Sequence, residues 1–378
     1  MKINIVFNPF LPMPPDAIGA VEILWYEIGL DFAKRGHDVR VIGKGERHRD
    51  HDENRENFSC ERLKGNTASK IIIWNLFVTA IFDFRVLLRM RKCDILVVNN
   101  FWGPIIPALF FFWKYKRLVY NAARTPKRFF KFYRFVDGVC CPSLSVTEMA
   151  KVMLPQRMAG RVVTIHNPID VKNFNMNVKA NKLRSDGVTI GYHGRVHPEK
   201  GLCILAEAVK RLAEGGFPGV RLLIIGTYDI AKGGGGDKYK MTLDSLSGNR
   251  IDWHSPISDR LQLAATLAGC DLYCYPSIAE RGETFGVSPL EAMGVGVPVV
   301  VSALSCFKDF VEDGKTGVVF NHRTIDPVSE LTLKLSMLLS SKELCNNLRK
   351  EGAKRAFMFS NEKIAGEYLN WFEQLLDK

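Results

Sequence analysis

The feature that most limits what this chain can fold into is a recurring alternation. Apolar runs of strand length keep returning between segments long enough for a helix. In the first half these runs are Ile3-Asn4-Ile5-Val6-Phe7, Val39-Arg40-Val41-Ile42, Ile95-Leu96-Val97-Val98, Leu118-Val119-Tyr120, Gly138-Val139-Cys140-Cys141 and Val162-Val163-Thr164-Ile165. Most are continuously apolar, as strands buried on both faces are, which argues for a parallel sheet covered by helices. Val21 to Lys34 carries the helical repeat, with Ile23, Leu24, Ile28, Leu30 and Phe32 on one broad face and Gly36 as the stop. The polar, aperiodic stretch Asn173 to Gly187 reads as a linker. A second series follows: Val188–Tyr192 as a strand, Leu202–Leu212 as a helix, Val220–Ile225 as a strand, then Asp271–Tyr275, Pro289–Met293 and Pro298–Val301. A chain of 378 residues suits two domains of this kind. Ligands of doubly wound sheets bind at the carboxyl ends of the strands, a common arrangement in enzymes that use nucleotides.

Charge is unevenly spread. Residues 1–170 hold 26 Lys and Arg against 16 Asp and Glu, whereas residues 171–378 hold 26 against 24. The first half therefore faces something anionic: a membrane surface, a phosphorylated substrate or nucleic acid. Nine cysteines without a metal-like spacing, and an N-terminus that runs straight into a strand, fit a reducing cytosolic compartment. Cys140-Cys141 reads as two buried strand residues. The apolar runs Ile71–Phe82 and Ile105–Trp113 fall short of the ~18–20 residues that a spanning helix needs.

Three segments could carry chemistry. In the first, Glu283 and Glu291 flank Thr-Phe-Gly-Val-Ser-Pro-Leu, with Glu283 in a loop after a strand and Glu291 near the start of a short helix. Carboxylates there can accept hydrogen bonds from sugar hydroxyls, and the helix N-terminus offers N–H groups to phosphate; a solvated loop acid and an ordinary helix charge are the plain alternative. In the second, Gly194-Arg195-Val196-His197-Pro198-Glu199-Lys200-Gly201 joins a strand to a helix. Arg195 as a bidentate fork and Lys200 as a point charge can reach one diphosphate, or be two surface cations. The third, Pro14 to Glu22, places Gly19 where backbone can approach a ligand at a helix N-terminus.

These segments, in this order, resemble the retaining glycosyltransferases of family 4. The resemblance runs along essentially the whole chain. It includes Lys34-Arg35-Gly36-His37-Asp38-Val39, Asn167-Pro168-Ile169-Asp170, Gly194-Arg195 with Lys200-Gly201, the Glu283/Glu291 pair, Glu291-Ala-Met-Gly-Val-Gly-Val-Pro-Val, and Phe359-Ser360-Asn361-Glu362-Lys363-Ile364. It implies an α/β protein of GT-B fold, two Rossmann-like doubly wound domains facing a central cleft. The expected domains are 1–178 for the acceptor, 187–358 for the nucleotide sugar, and a helix at 361–378 crossing back to the first. It further implies transfer of a sugar from a UDP- or GDP-type donor with retention of configuration and without metal or cofactor. Arg195 and Lys200 would stabilise the leaving diphosphate, Glu291 would hold the ribose, Glu283 would contact the donor sugar, and Gly19, Phe285, Gly286 and Val287 would line the donor. The implied acceptor is a glycan or lipid-linked saccharide in bacterial surface polysaccharide, lipopolysaccharide or glycolipid assembly. Because family members often have no protein nucleophile, the two-carboxylate hydrolase template does not apply to Glu283 and Glu291.

Some positions depart from the family. Val119-Tyr120-Asn121-Ala122-Ala123-Arg124-Thr125 lacks the His often found there, leaving Asn121 or Arg124 for acceptor-side contacts, and Gly19-Ala20 stands where two glycines are frequent. His193 and His197 flank Arg195, and His193 could point to the cleft, although His193 and His166 read first as structural. Asp50-His51-Asp52 sits in a charged run and reads as exposed loop, and Lys232-Gly233-Gly234-Gly235-Gly236-Asp237 as flexible loop. Arg124, Lys127, Arg128, Lys131 and Arg134 interleave with Phe129, Phe130 and Phe132. That pattern suits an anionic bilayer interface, or RNA, or an apolar core under solvated cations; a peripheral protein on the cytosolic membrane face, without nucleic acid, is the reading adopted. The competing functions are a sugar-nucleotide epimerase, a transferase making a small soluble glycoside, a silent scaffold of the same fold, and a nucleic-acid-binding protein.

Overall fold

The computed structural model describes residues 1–13, 19–45, 53–181 and 187–378. The proline-rich part of the first loop, Asp50-His51-Asp52, and residues 182–186 of the linker lie outside the described residues. The chain divides into two compact units, Met1–Pro168 with Asn361–Lys378, and Ile169–Ser360. The division falls ahead of the residue 178 expected from the sequence. Ile169 and Phe174, each 1% exposed, belong to the core of the second unit, and Asn181 donates its backbone N–H to Ala265 O. Polarity along 173–181 therefore marks a packed surface strap rather than a free linker.

In the first unit, the described residues form β1 (Lys2–Val6), β2 (Asp38–Lys44), β3 (Glu53–Arg55), β4 (Phe58–Leu63), β5 (Cys93–Val98), β6 (Tyr115–Asn121), β7 (Gly138–Cys141) and β8 (Val162–Thr164). Their order is β3-β4-β2-β1-β5-β6-β7-β8. All neighbours are parallel except β3 and β4, a hairpin turned at Asn57, whose φ is 59°. The chain builds outward from β1 to β4, then returns to β5 on the other side of β1. Helices α1 (Ala20–Lys34), α2 (Ile72–Arg89), α3 (Ile106–Phe110) and α4 (Leu144–Met153) cover the sheet. The two apolar runs are thus α2 and the corner of α3 with a 3-10 turn at Phe112–Lys114, and no described helix is long and apolar enough to cross a membrane. Cys140 and Cys141 are fully buried on β7, and burial pushes the Cys141 thiol up to about 12.

The second unit repeats the plan with β9 (Thr189–His193), β10 (Arg221–Ile225), β11 (Ile251–His254), β12 (Leu272–Tyr275), β13 (Val299–Ser302) and β14 (Val318–Phe320). The order is β11-β10-β9-β12-β13-β14, parallel throughout. Its helices are α5 (Leu202–Glu214), α6 (Gly236–Leu246), α7 (Arg260–Ala268), α8 (Val287–Gly294), α9 (Pro327–Ser340) and α10 (Lys342–Phe357). Leu202, Leu205, Val209 and Leu212 bury one stripe of α5, spaced as the 3.6-residue repeat requires. The last helix, α11 (Asn361–Leu376), packs in the first unit against α1, with Trp25–Tyr368 and Phe32–Phe372 ring centroids 4.8 and 5.9 Å apart.

The glycine run at 233–236, expected as a flexible loop, is held by backbone hydrogen bonds. Gly234 N–H donates to Asp229 O, Gly235 N–H to Val196 O and Gly236 N–H to Tyr228 O. The glycines permit close packing, since a Cβ on Gly234 would lie 2.2 Å from the Tyr228 carbonyl carbon. Composition alone does not separate that use from flexibility.

Candidate active site

In the second unit the chain order reverses between β9 and β12: β10 and β11 build away from β9 on one side, β13 and β14 away from β12 on the other. The loops leaving the carboxyl ends of these two strands cannot follow the same direction, and the gap where they part is where ligands of such sheets bind. Gly194–Gly201 leaves β9, and Pro276–Gly286 leaves β12. The two loops are pinned together, Ile278 N–H donating to Glu199 O at 3.0 Å. Gly201 makes this possible: its φ is 67°, and a Cβ there would sit 2.1 Å from Pro276 O.

Each loop contributes one charge to a buried pair. Lys200 Nζ donates to Glu283 Oε2 at 2.7 Å, with the side chains 8% and 11% exposed. The same ammonium lies 5.4 Å from the centre of the Tyr275 ring. Lys200 keeps further N–H donors beyond the one it gives Glu283. Arg195 is half-exposed; its NH2 donates to Glu199 Oε1 at 2.9 Å and its NH1 to Gly233 O at 3.4 Å. Tyr192 Oη donates to the Arg195 carbonyl at 2.8 Å, fixing the backbone from which the guanidinium reaches.

Glu291, on α8, is 4% exposed and holds two partners. His193 Nε2 lies 2.8 Å from Oε2, and Arg260 NH2 donates to Oε1 at 2.6 Å. Burial works to raise the Glu291 pKa, but Arg260 and His193 outweigh it and hold the carboxyl below its ordinary value. His193 ends β9 and its Nδ1 has no hydrogen-bond partner among the described residues. Arg260 opens α7 and also lies over the Phe174 ring at 4.5 Å. From sequence, His193 is ambiguous between a strand-end residue and one facing the cleft, and Arg260 carries no signal. No spacing signal points to it, since 31 residues separate it from Glu291.

One of the expected donor residues keeps its side chain away from the loop junction. The Phe285 ring is 1% exposed and packs against Phe310 and Phe359 in the core, so only its backbone could meet a ligand. Gly286, with φ 90°, is the N-cap of α8, and a Cβ there would strike the Phe307 ring at 2.5 Å. No side chain caps this terminus. Val287 is the first residue of α8 and half-buried.

In the first unit, Gly19 is the N-cap of α1 with φ 113°. The Glu22 carboxylate lies beside it, 3% exposed, accepting from Asn8 Nδ2 at 2.7 Å. Burial raises the Glu22 pKa, opposed by its own backbone N–H, by Asn8 and by the charge of Arg124. Asn121 Nδ2 donates to Asn99 Oδ1 at 2.7 Å. Asn8, Asn99 and Asn121 thus stand at the carboxyl ends of β1, β5 and β6, the first two across the reversal of chain direction. Of these, the sequence reading had only Asn121, with Gly19 and Arg124. Among the residues expected to face a membrane, Arg124, Lys127, Arg128, Phe129, Lys131 and Arg134 are exposed. Phe130 is not. It is 4% exposed because the 3-10 turn Arg128–Phe132 directs it inward with Tyr133, onto Tyr120. Among the described residues, no group of three or more His, Cys, Asp or Glu is placed to hold a metal ion.

Comparison with known proteins fits this geometry. Residues 174–355 match the sequence model of the family described as Glycosyl transferases group 1. That match lies wholly within the second unit. A phosphatidyl-myo-inositol mannosyltransferase of Mycobacterium tuberculosis is 28% identical over 175 residues, 46% of this chain and 43% of that protein, so the match spans less than half the relative's length. Two solved structures share the fold along nearly all of both chains. Sucrose-phosphate synthase from Thermosynechococcus elongatus has a TM-score of 0.82 at 19% identity, covering 100% of this chain and 99% of its own. Anabaena Alr3699/HepE in complex with UDP and glucose has a TM-score of 0.75 at 17% identity, covering 99% and 100%. The fold class is GT-B, built from two Rossmann-like units, and the stretch that matches the family model contains Arg195, Lys200, Glu283 and Glu291.

Proposed function

We propose that this protein is a retaining glycosyltransferase that moves a sugar from a nucleotide-diphosphate donor to a glycan or lipid-linked acceptor. The observation that carries the proposal is the pairing of Lys200 with Glu283 across the reversal point of the second sheet, with Arg195 on the same loop as Lys200. A leaving nucleoside diphosphate gains negative charge as the glycosidic bond breaks. A buried ammonium and a backbone-anchored guanidinium stabilise that charge most where water is excluded. Glu283, oriented by Lys200, contacts donor-sugar hydroxyls. Glu291, fixed by His193 and Arg260, reads the ribose hydroxyls, and the uncapped N-terminus of α8 adds N–H groups toward phosphate. No step uses a metal, so a chelator leaves turnover unchanged.

In this reading the acceptor belongs to the first unit, and the support is the polar cluster of Asn8, Glu22, Asn99, Asn121 and Arg124 at its carboxyl edge. A lipid-linked acceptor, in surface polysaccharide or glycolipid assembly on the cytosolic membrane face, is supported by the basic excess of that half and by a relative named for transfer to phosphatidyl-myo-inositol. The test is incubation with a panel of UDP- and GDP-sugars without acceptor. Slow release of free sugar and nucleoside diphosphate, lost in Arg195→Ala, supports transfer. Epimerisation of the donor at C2, or no turnover of any donor by the wild type, overturns it.

A further inference from the structure

Helix α2 is apolar on both sides. Its inner side, with Val78, Phe82, Val86 and Leu87, is buried in the core of the first unit. Its outer side carries Ile73, Phe77, Ile81, Phe84 and Leu88, which are 79%, 55%, 38%, 37% and 67% exposed. Their spacing of four, four, three and four residues makes one continuous stripe along the helix. A helix apolar all round belongs in a core or against lipid, and nothing among the described residues covers this stripe.

The stripe continues into its neighbours. Phe84 meets Phe110 at 5.4 Å between ring centroids, at the corner that also bears Phe112 and Trp113, 64% and 54% exposed. Lys114 ties this corner to the end of α2, its Nζ donating to the carbonyls of Leu87, Leu88 and Met90. At the other side, Trp102 Nε1 donates to Leu76 O, and Trp102 leads through Phe101 to Phe129. Helix, corner and 3-10 turn thus form one ledge. Patches of this extent on a soluble surface mark interaction sites.

The charge around the ledge selects its partner. Residues 70–136 contain thirteen Lys and Arg and two acidic residues, Asp83 and Asp94. Asp83, on the inner side of α2, is 2% exposed and hydrogen-bonded to Asn100, and Asp94 is paired with Lys116. Arg85, Arg89, Arg91 and Lys92 line the carboxyl end of the helix, and Arg128, Lys131 and Arg134 the far turn. An apolar stripe flanked by aromatics and nearly unopposed cations is the pattern of an interfacial helix on an anionic bilayer.

We infer that the first unit docks on anionic lipid by lowering the outer stripe of α2 and its aromatic corner into the interface, with α2 parallel to the membrane. This moves the main contact away from the basic turn at 124–134, which becomes an electrostatic flank, and it deepens the lipid-linked acceptor reading on which it rests. Attraction by cations alone is screened by salt, whereas burial of apolar side chains is not, so part of the binding survives high salt.

The test is sedimentation of the full chain with phosphatidylcholine vesicles, with and without phosphatidylglycerol, at low and high salt. The variants are Ile73→Ser/Phe77→Ser/Leu88→Ser and Arg85→Gln/Arg89→Gln/Arg91→Gln/Lys92→Gln; the apolar positions are exposed, and circular dichroism checks the fold. The wild type is expected to bind the anionic vesicles, with a residue of binding at high salt. The apolar variant should lose binding by at least about 100-fold, since each such side chain is worth roughly tenfold or more when buried. The cation variant should weaken binding at low salt only. Quenching of tryptophan emission by bromine-labelled acyl chains should fall in Trp74→Phe/Trp113→Phe. Unchanged binding by the apolar variant overturns the inference, as does binding that high salt abolishes entirely. Failure of the wild type to bind vesicles, with a dimer in solution that the apolar variant dissociates, also overturns it by assigning the stripe to a second copy. Donor hydrolysis measured in the same variants separates the two readings: vesicle binding without donor turnover leaves docking standing and defeats the transfer reading.

Discussion

The buried Lys200–Glu283 pair allows a quantitative test of the site. Both side chains are about nine-tenths buried, and their charged atoms are 2.7 Å apart. Replacing Lys200 by Met fills a similar volume but strands a carboxylate in a desolvated place; breaking one side of a buried pair costs about 3–5 kcal/mol. Glu283→Gln strands the ammonium, at a smaller cost, because the amide oxygen of Gln can still accept from Lys200. The double variant Lys200→Met/Glu283→Gln leaves no uncompensated charge and should recover on the order of 2 kcal/mol relative to the sum of the single changes. The assay is urea unfolding of the full chain, reading the transition that nucleotide shifts, since a ligand stabilises the unit that binds it. Donor turnover follows a different pattern, remaining depressed by about 10²–10³ in the double variant because the stabilising cation is still missing. Additive stability effects, or recovery of turnover with stability, would refute the reasoning.

Arg195 is half-exposed, so Arg195→Ala should leave the melting temperature nearly unchanged while lowering turnover by about 10²–10³, checked by calorimetry and initial rates. Glu291→Ala should chiefly weaken nucleotide affinity and Glu283→Ala chiefly sugar transfer; identical effects on KM and kcat in both would refute the division. Because the Glu291 pKa is lowered on folding, its contribution to stability is present above its ordinary value of 4.5 and is lost as pH falls through the folded value. An acid titration of Glu291→Gln should lack that limb. Asp83 has the opposite sign: burial raises its pKa well above the ordinary 3.8, so its stabilising protonated form is lost as pH rises through the folded value. Asp83→Asn keeps an acceptor for Asn100 and should gain on the wild type by about 1.4 kcal/mol per pH unit between the two pKa values, measured as melting temperature against pH.

The parallel sheets were legible because their strands are buried on both faces and so read as apolar runs. Hairpin β3–β4 was not, since Phe58 and Cys60 bury one side of a strand that contains Ser59, Glu61 and Arg62, and only Leu63 at its end joins the core on the other side. The linker was misjudged because few large residues anchor it; Ile169 and Phe174 do so from within or just before a polar stretch. In the site, Arg195, Lys200, Glu283 and Glu291 lie in two short segments whose composition is unusual enough to notice. Arg260 and the Nδ1 atom of His193 become visible only when β9, α7 and α8 are brought together. Phe130 and Phe129 are adjacent in sequence and opposite in burial, which a 3-10 turn decides and composition does not. The apolar run at 71–82 is too short to span a bilayer, and its length alone does not show that α2 is apolar on its outer side as well.

The central claim is that the second unit holds a nucleotide-diphosphate sugar and releases its sugar with retained configuration. Proton NMR of slow donor hydrolysis tests it most directly, by identifying the anomer formed before mutarotation. The account predicts that the first-formed anomer matches the donor and that its appearance is suppressed about 10²–10³-fold in Arg195→Ala. A first-formed anomer of inverted configuration, or hydrolysis by Arg195→Ala at the wild-type rate, would contradict it.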